Sequence, residues 1–483
     1  MDREWYDRNY PKYEDMRMQA KKDGNRLRYH LMPPAGWMND PNGLCQFQGV
    51  YHIYFQYTPF LAGWGTKIWG HYTTRDWVHF REEEPFLFPD CVWDRDGVYS
   101  GCAFEKDGEI HYFYTGNVKL SDRQYDYIRE GREQNTIHVK SSDGMTAQAK
   151  QLVLSHADYP KDMTKHVRDP KVFAKHGNCY LLLGARDKED RGCALLFCSK
   201  DLEHWSYVQR IAPQEYFGYM WECPDLFTLN GKTFLLACPQ GLPKKEHCCQ
   251  NVYQCGCFTA KQDSQKGTYT LGEFKELDKG FDFYAAQTFE DEYGRRILLA
   301  WMGMPDAEYD NDVTACEGWI HALTMPRVLT VTDGKLLQNP LKEMEQLRRN
   351  KRHTTLRAFV CQETKDCCFE LHLEFLEHAR AMTLWLREDV MLGYQDGVLA
   401  LCLGKSGCGR RKRTVCLKEL RSFTVFSDTS SVEVFINGGE ETMTTRVYSE
   451  SLEQKVWFSD TDADAQVQWY DLDGYKMQWK LCK

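Results

Sequence analysis

Three carboxylates in this chain of 483 residues stand in settings that could do chemistry. They are Asp40 in Trp37-Met38-Asn39-Asp40-Pro41-Asn42-Gly43, Asp169 in Arg168-Asp169-Pro170, and Glu222 in Trp221-Glu222-Cys223-Pro224-Asp225. Hydrolysing a glycosidic bond needs one carboxylate to attack the sugar carbon and one carboxylic acid to protonate the departing oxygen. Taken alone, Asn39-Asp40-Pro41-Asn42-Gly43 also reads as a surface turn, with Pro fixing φ and Asn-Gly supplying positive φ. The surrounding chemistry favours a site. Trp37, Trp64 and Trp69 crowd the first acid and Trp221 precedes the third, and aromatic faces stack against sugar rings.

The elements that must position these acids are short and β-rich. Tyr51-His52-Ile53-Tyr54-Phe55, Ile110-His111-Tyr112-Phe113-Tyr114, Tyr180-Leu181-Leu182-Leu183 and Thr233-Phe234-Leu235-Leu236 each follow a turn signal. The signals are Gln48-Gly49, Asp107-Gly108, Gly177-Asn178 and Asn230-Gly231. Thr74-Arg75-Asp76-Trp77-Val78-His79-Phe80 resembles Ser199-Lys200-Asp201-Leu202-Glu203-His204-Trp205, and Ser141-Ser142-Asp143-Gly144 lies between them. This faint repeat is longer than the roughly 40–50 residues of common propeller repeats, yet suits four-stranded blades with long loops. The pattern predicts an all-β chain, with about five such units across residues 30–335. A propeller would let Asp40 and Glu222 meet in one central funnel despite their distance in sequence. Residues 341–348 carry apolar positions near helical spacing, and beyond them Leu371-His372-Leu373-Glu374-Phe375 alternates as a half-buried strand of a sandwich does.

Taken together, these motifs resemble glycoside hydrolase family 32, the fructan and sucrose hydrolases, from about residue 28 to the C-terminus. The resemblance also rests on Tyr54-Phe55-Gln56-Tyr57, Trp69-Gly70-His71, Tyr99-Ser100-Gly101, Tyr114-Thr115-Gly116, Gly280-Phe281-Asp282-Phe283-Tyr284-Ala285 and Trp301-Met302-Gly303. It implies a five-bladed β-propeller followed by a C-terminal β-sandwich. The expected boundaries are an N-terminal extension at 1–29, a catalytic propeller at 30–337, a linker at 338–353 and the sandwich at 354–483. The sandwich is expected to pack on the propeller or to serve homodimerisation.

The resemblance further implies roles. Asp40 is the expected nucleophile, Glu222 the general acid/base, and Asp169 a third carboxylate that binds the fructose hydroxyls, giving double displacement with retention. Asn39, Gln56, Trp64, Tyr99, Ser100, Arg168, Tyr284 and Trp301 match positions that line the sugar pocket. Arg168 is placed to pair with a carboxylate in the pocket, a structural salt bridge being the alternative. The implied activity is that of a β-fructofuranosidase (invertase) acting on sucrose 6-phosphate, sucrose, or both. Lys67, Lys119, Lys165, His166 and Lys171 are the cations near enough to the motifs to meet a phosphate. The alternatives are a fructo-oligosaccharide hydrolase or fructosyltransferase and, from another class, a non-catalytic fructoside-binding protein.

Composition sets outer bounds. A formal net charge of −9 argues against a nucleic-acid partner, and no apolar run approaches the length of a membrane span. Residues 1–8 are charged from the start, so the expected location is the cytoplasm, where the 20 cysteines would be reduced. Cys248-Cys249 followed by Cys255-Gly256-Cys257 departs from metal-binding spacing and reads as small apolar side chains, so neither metal nor cofactor is expected.

Overall fold

The computed structural model describes residues 1–120, 126, 128–263, 265–359, 361–364 (backbone only), 366–451 and 454–480. Between residues 36 and 340 the chain forms five sheets, each built on a meander of strands hydrogen-bonded in sequence order, and Trp319–Ile320 joins the first by pairing in parallel with Gly36 and Trp37. The first holds Gly36–Phe47, Val50–Thr58, Ile68–Thr74 and His79–Glu82. The second to fifth sheets begin with Val98–Lys106, Met163–Lys175, Met220–Leu229 and Tyr284–Glu290.

Local sequence explains the hairpins. Gln48 and Gly49, Asp107 and Gly108, His176 and Gly177, and Asn230 and Gly231 all have positive φ. Consecutive left-handed residues give the turn whose twist matches that of the strands it joins. The faint repeat is a repeated connection between third and fourth strands. Oδ1 of Asp76 accepts from the backbone of Val78 and His79, that of Asp143 from Met145 and Thr146, and that of Asp201 from Glu203 and His204. Asp263 does the same for Gln265 and Lys266 in the fourth sheet, where the sequence resemblance had faded.

Two six-stranded sheets follow. Their inward residues, among them Leu371, Leu373, Leu384, Leu386, Leu399, Leu401, Val425, Val432 and Val434, form one buried cluster. Lys335–Pro340 still belongs to the fifth sheet and Arg348–Thr355 already pairs in the sandwich. Only residues 341–347 lie between them, with a 3-10 turn at Lys342–Leu347. The expected linker at 338–353 is thus shorter, because its basic stretch, Arg348-Arg349-Asn350-Lys351-Arg352, is an extended edge strand rather than a connection.

The two parts meet through buried charges. Arg410 donates to both oxygens of Asp282 at 2.7 and 2.8 Å, and Arg327 reaches Glu433 at 2.5 Å and Asp278 at 3.3 Å. Residues 279–282 dock on the sandwich strand Glu441–Arg446 through backbone bonds to Thr442 and Thr444. A Cβ on Gly280 would lie 2.1 Å from the Thr444 carbonyl oxygen, so this docking needs glycine.

Both chain ends return to the first sheet. Lys476–Gln478 pairs in parallel with its outer strand, so the last residues described leave the sandwich. The N-terminal segment, expected only as an extension, holds a helix, Arg3–Lys22, capped by Asp2. Tyr6, Tyr10, Tyr13, Arg17 and Ala20 bury one helical stripe, and Arg17 grips Glu82 of the same outer strand at 2.8 and 2.7 Å. Among the described residues no helix is long and apolar enough to cross a membrane.

Candidate active site

The first strand of each of the five sheets carries a register break, and the residues of interest sit at those breaks. Pairing shifts between Met38 and Pro41, between Val98 and Gly101, across residues 168–171, between Glu222 and Asp225, and between Tyr284 and Gln287. A bulge inserts an extra residue, bends the strand and re-aims a side chain. Asp169, Cys223 and Ala285 adopt positive φ at three of these points (61°, 48° and 50°). The prolines after the acids fit the same logic, since a bulged residue need not donate to the ladder. Asn39-Asp40-Pro41-Asn42-Gly43 is therefore an irregular stretch within a strand rather than a surface turn.

The bulges bring the three acids together. Asp40 accepts from Asn39 Nδ2 at 2.9 Å on Oδ1 and from Ser100 Oγ at 2.5 Å on Oδ2. Asn39 is itself oriented by Trp37, whose indole N–H donates to its Oδ1 at 2.8 Å. Cys223 lies between two carboxylates, its Sγ 3.7 Å from Asp40 Oδ2 and 3.8 Å from Asp169 Oδ2. Asp169 is buried and accepts the Cys223 backbone N–H at 3.0 Å, while its own N–H donates to Thr115.

Glu222 is held differently. Arg168 reaches Oε1 through Nη2 at 2.5 Å and Nε at 3.1 Å. Tyr284 and Gln240 donate to Oε2 at 2.5 and 2.7 Å. Arg168 lies farther from Asp169, at 3.9 Å. Its Nη1 donates to His166 Nδ1 at 2.6 Å, and burial followed by the Arg168 charge keeps that imidazole well below its ordinary pKa, in the neutral accepting form.

Electrostatics follow from this packing. Burial raises the pKa of Asp40, the Ser100 and Asn39 hydrogen bonds pull it back, and the Glu222 charge adds to the rise. Asp169 is raised too, chiefly by burial, with Arg168 opposing and the Glu222 and Asp40 charges reinforcing. The Tyr284 phenol is pushed far above its usual range by burial and then by Glu222, so it remains a donor.

The other expected residues divide. Trp301 is buried against Trp37, Tyr284 and His321. Trp64 is 68% exposed and packs on Trp37 at the rim. Tyr99 accepts the Trp69 indole N–H on its carbonyl. Gln56 is buried, and its amide donates to the Val98 carbonyl, tying the first sheet to the second. Cys223, Thr115, His166 and Gln240 complete the cluster; the sequence signalled the first two only as members of motifs and His166 only as a cation. Among the described residues, two metal-like groupings have donor atoms within 4.8 Å of one another, Cys248 with Cys249 and Glu276, and Asp366 with Cys367 and Cys368. Neither contains one of the three acids.

Residues 30–340 match the model of the glycosyl hydrolases family 32 N-terminal domain, and residues 343–472 match that of the family 32 C-terminal domain. The chain belongs to glycosyl hydrolases family 32. The sucrose-6-phosphate hydrolase of Bacillus subtilis (strain 168) is 39% identical over 462 residues, covering 92% of this chain and 94% of that one. Among solved structures, the sucrose-6-phosphate hydrolase of Lactobacillus gasseri superposes with a TM-score of 0.87 at 28% identity over 96% of both chains. A Bombyx mori family 32 β-fructofuranosidase mutant in complex with sucrose gives a TM-score of 0.85 at 25% identity, covering 99% of this chain and 100% of that one. The family 32 match ends at residue 472, just where the chain leaves the sandwich for the first sheet.

Proposed function

We propose that this family 32 chain is a retaining β-fructofuranosidase that hydrolyses the fructosyl bond of sucrose 6-phosphate and of sucrose. The observation that carries the reading is the unlike setting of two carboxylates that converge from different sheets. Asp40 is held by two neutral donors, Ser100 and Asn39, which leave an ionised oxygen aimed for attack. Glu222 accepts from Arg168 on one oxygen and from Tyr284 and Gln240 on the other, which fixes its orientation, and its protonated form is the one that serves the leaving oxygen.

In the first step Asp40 attacks the anomeric carbon of the fructosyl unit while Glu222 protonates the departing oxygen. In the second, Glu222 takes a proton from water, which displaces Asp40 and restores both groups. Asp169 and the pocket around Trp301 bind the fructose hydroxyls. The five sheets are read as blades of a five-bladed propeller, since their five inner strands each contribute a residue to one cluster. Residues 30–340 form the catalytic part and the sandwich supports it. The sucrose-6-phosphate hydrolase names of the relatives support a phosphorylated substrate, and with it the cytoplasm, where sugar phosphates are held.

The test is kcat/KM for sucrose 6-phosphate, sucrose and a short inulin-type oligosaccharide side by side, with the anomer first released followed by NMR. Retained configuration and hydrolysis of the first two sugars are expected. An inverted product would remove the double-displacement mechanism, and preference for the oligosaccharide would make the chain a fructan hydrolase.

A further inference from the structure

Lys67 sits beside the reacting groups with no counter-ion among the described residues. It immediately precedes the strand Ile68–Thr74 and is 4% exposed. Its ammonium donates to Thr58 Oγ1 at 3.1 Å and lies 4.9 Å from the Trp37 ring centre and 4.5 Å from that of Trp64. No carboxylate of the described residues comes within ion-pair distance of it, although Asp40 is near enough to act on its charge. The other lysines of low exposure have partners: Lys171 pairs with Asp225, Lys150 with Asp90 and Asp94, and Lys279 with Glu276.

Burying an ammonium without an anion is costly, and burial accordingly pulls the Lys67 pKa well below its ordinary value. The aromatic faces return part of that cost, but one of them belongs to exposed Trp64. The group is therefore a desolvated amine whose charged form lacks a partner, set behind exposed Trp64 and half-buried Trp37. Contacts from Lys67 to Trp37, Trp37 to Asn39 and Asn39 to Asp40 run straight to the attacking carboxylate. Of the other cations near the motifs, Lys171 pairs with Asp225, Arg168 with Glu222, and His166 is a neutral acceptor, while Lys119 is exposed and Lys165 half-buried, so neither is a desolvated charge at the acids.

We propose that Lys67 is the specificity residue of the pocket, pairing with the phosphate of a phosphorylated leaving-group sugar whose ring lies along Trp37 and Trp64. The proposal rests on the β-fructofuranosidase reading above. A dianion entering here supplies the missing counter-ion, and little solvation remains to be stripped from the lysine when it does. The uncharged disaccharide gains none of this.

The experiment measures the ratio of kcat/KM for sucrose 6-phosphate to that for sucrose in the unaltered protein, Lys67→Met and Lys67→Arg. The ratio in the unaltered protein is expected at ten or more. Lys67→Met lowers it at least tenfold, about 1.4 kcal/mol, mainly through KM, and Lys67→Arg retains most of it. An unchanged ratio in Lys67→Met overturns the proposal. So does a parallel loss on both sugars with the acid limb of the pH profile moved upward, which would assign Lys67 to holding Asp40 ionised. Should the variants fail to fold, glucose 6-phosphate must inhibit sucrose hydrolysis by the unaltered protein at least tenfold more tightly than glucose, and equal inhibition overturns the proposal. Hydrolysis of neither sugar would defeat the functional reading instead. Calorimetric titration with glucose 6-phosphate and with glucose then decides Lys67 by itself, tighter binding of the phosphate supporting the proposal and equal binding overturning it.

Discussion

Asp40, Glu222 and Asp169 are chemically similar groups made unlike by their neighbours, and the neighbours give the first predictions. Asp40→Asn should reduce kcat by on the order of 10⁴-fold or more while circular dichroism and the thermal midpoint stay close to those of the unaltered protein, because one ionisable carboxylate oxygen is exchanged for an amide nitrogen of nearly the same size. A variant with substantial turnover would remove Asp40 from the nucleophile role. Burial and the Glu222 charge already raise the Asp40 pKa, and Ser100 is the strongest influence opposing them. Ser100→Ala therefore raises it further. Since attack needs the ionised form, the acid limb of kcat/KM on sucrose should move to higher pH and activity below that limb should fall, as a pH–rate profile would read directly. Glu222→Gln should harm substrates with poor leaving groups most, with activity restored by added azide acting in place of water. The three acids stood out in the sequence, because each lies in a motif with Pro and two of the motifs also carry tryptophan. Asn39, Ser100, Arg168 and Tyr284 were named as pocket residues, but which acid each one holds was not legible, and Gln240 was missed because it arrives from another strand.

At the scale of elements, the bulge is the recurring device. Taken alone, Asn39-Asp40-Pro41-Asn42-Gly43 also read as a turn, and its residue types do favour irregular backbone. What local sequence could not tell is that the irregularity lies inside a paired strand, because the partner strand that makes it a bulge is defined only by pairing. The hairpin turns were legible because a Gly stands at the second left-handed position of each, although Gln48 and His176 fill the first position in two of them and the third turn falls one residue earlier than its Gly177-Asn178 signal. The N-terminal helix was passed over although Tyr6, Tyr10, Tyr13, Arg17 and Ala20 have helical spacing, as its many charges hide the stripe. The contact between the two β parts carries its own prediction. Arg410→Met leaves the Asp282 carboxylate buried beside one remaining donor, the Arg446 backbone N–H. Urea unfolding should show a loss of about 3–5 kcal/mol, with activity per folded molecule preserved. A loss under about 1 kcal/mol would mean that the pair is solvated in practice.

Over the whole molecule, the propeller sheets and the sandwich are bound by buried ion pairs, by backbone docking of residues 279–282 and by His30, whose ring bridges Asp428 and Glu433. The chain ends close on the first sheet from the opposite side of the sequence. Such shared burial couples the parts, so calorimetry should record one unfolding transition, and two well-separated transitions would contradict the coupling. Removal of divalent metal with a strong chelator should leave hydrolysis intact, since the proposed chemistry is carried by carboxylates. By itself the sequence determined the motifs in which the three acids stand, the β-rich class, most of the hairpin turns and the family, because each of these depends on residues near one another along the chain. The tertiary structure decided which carboxylate holds which partner, where the strands bulge and that Lys67 stands without a counter-ion among the described residues. Those facts depend on side chains brought together from distant positions, and burial sets the strength of every charge among them.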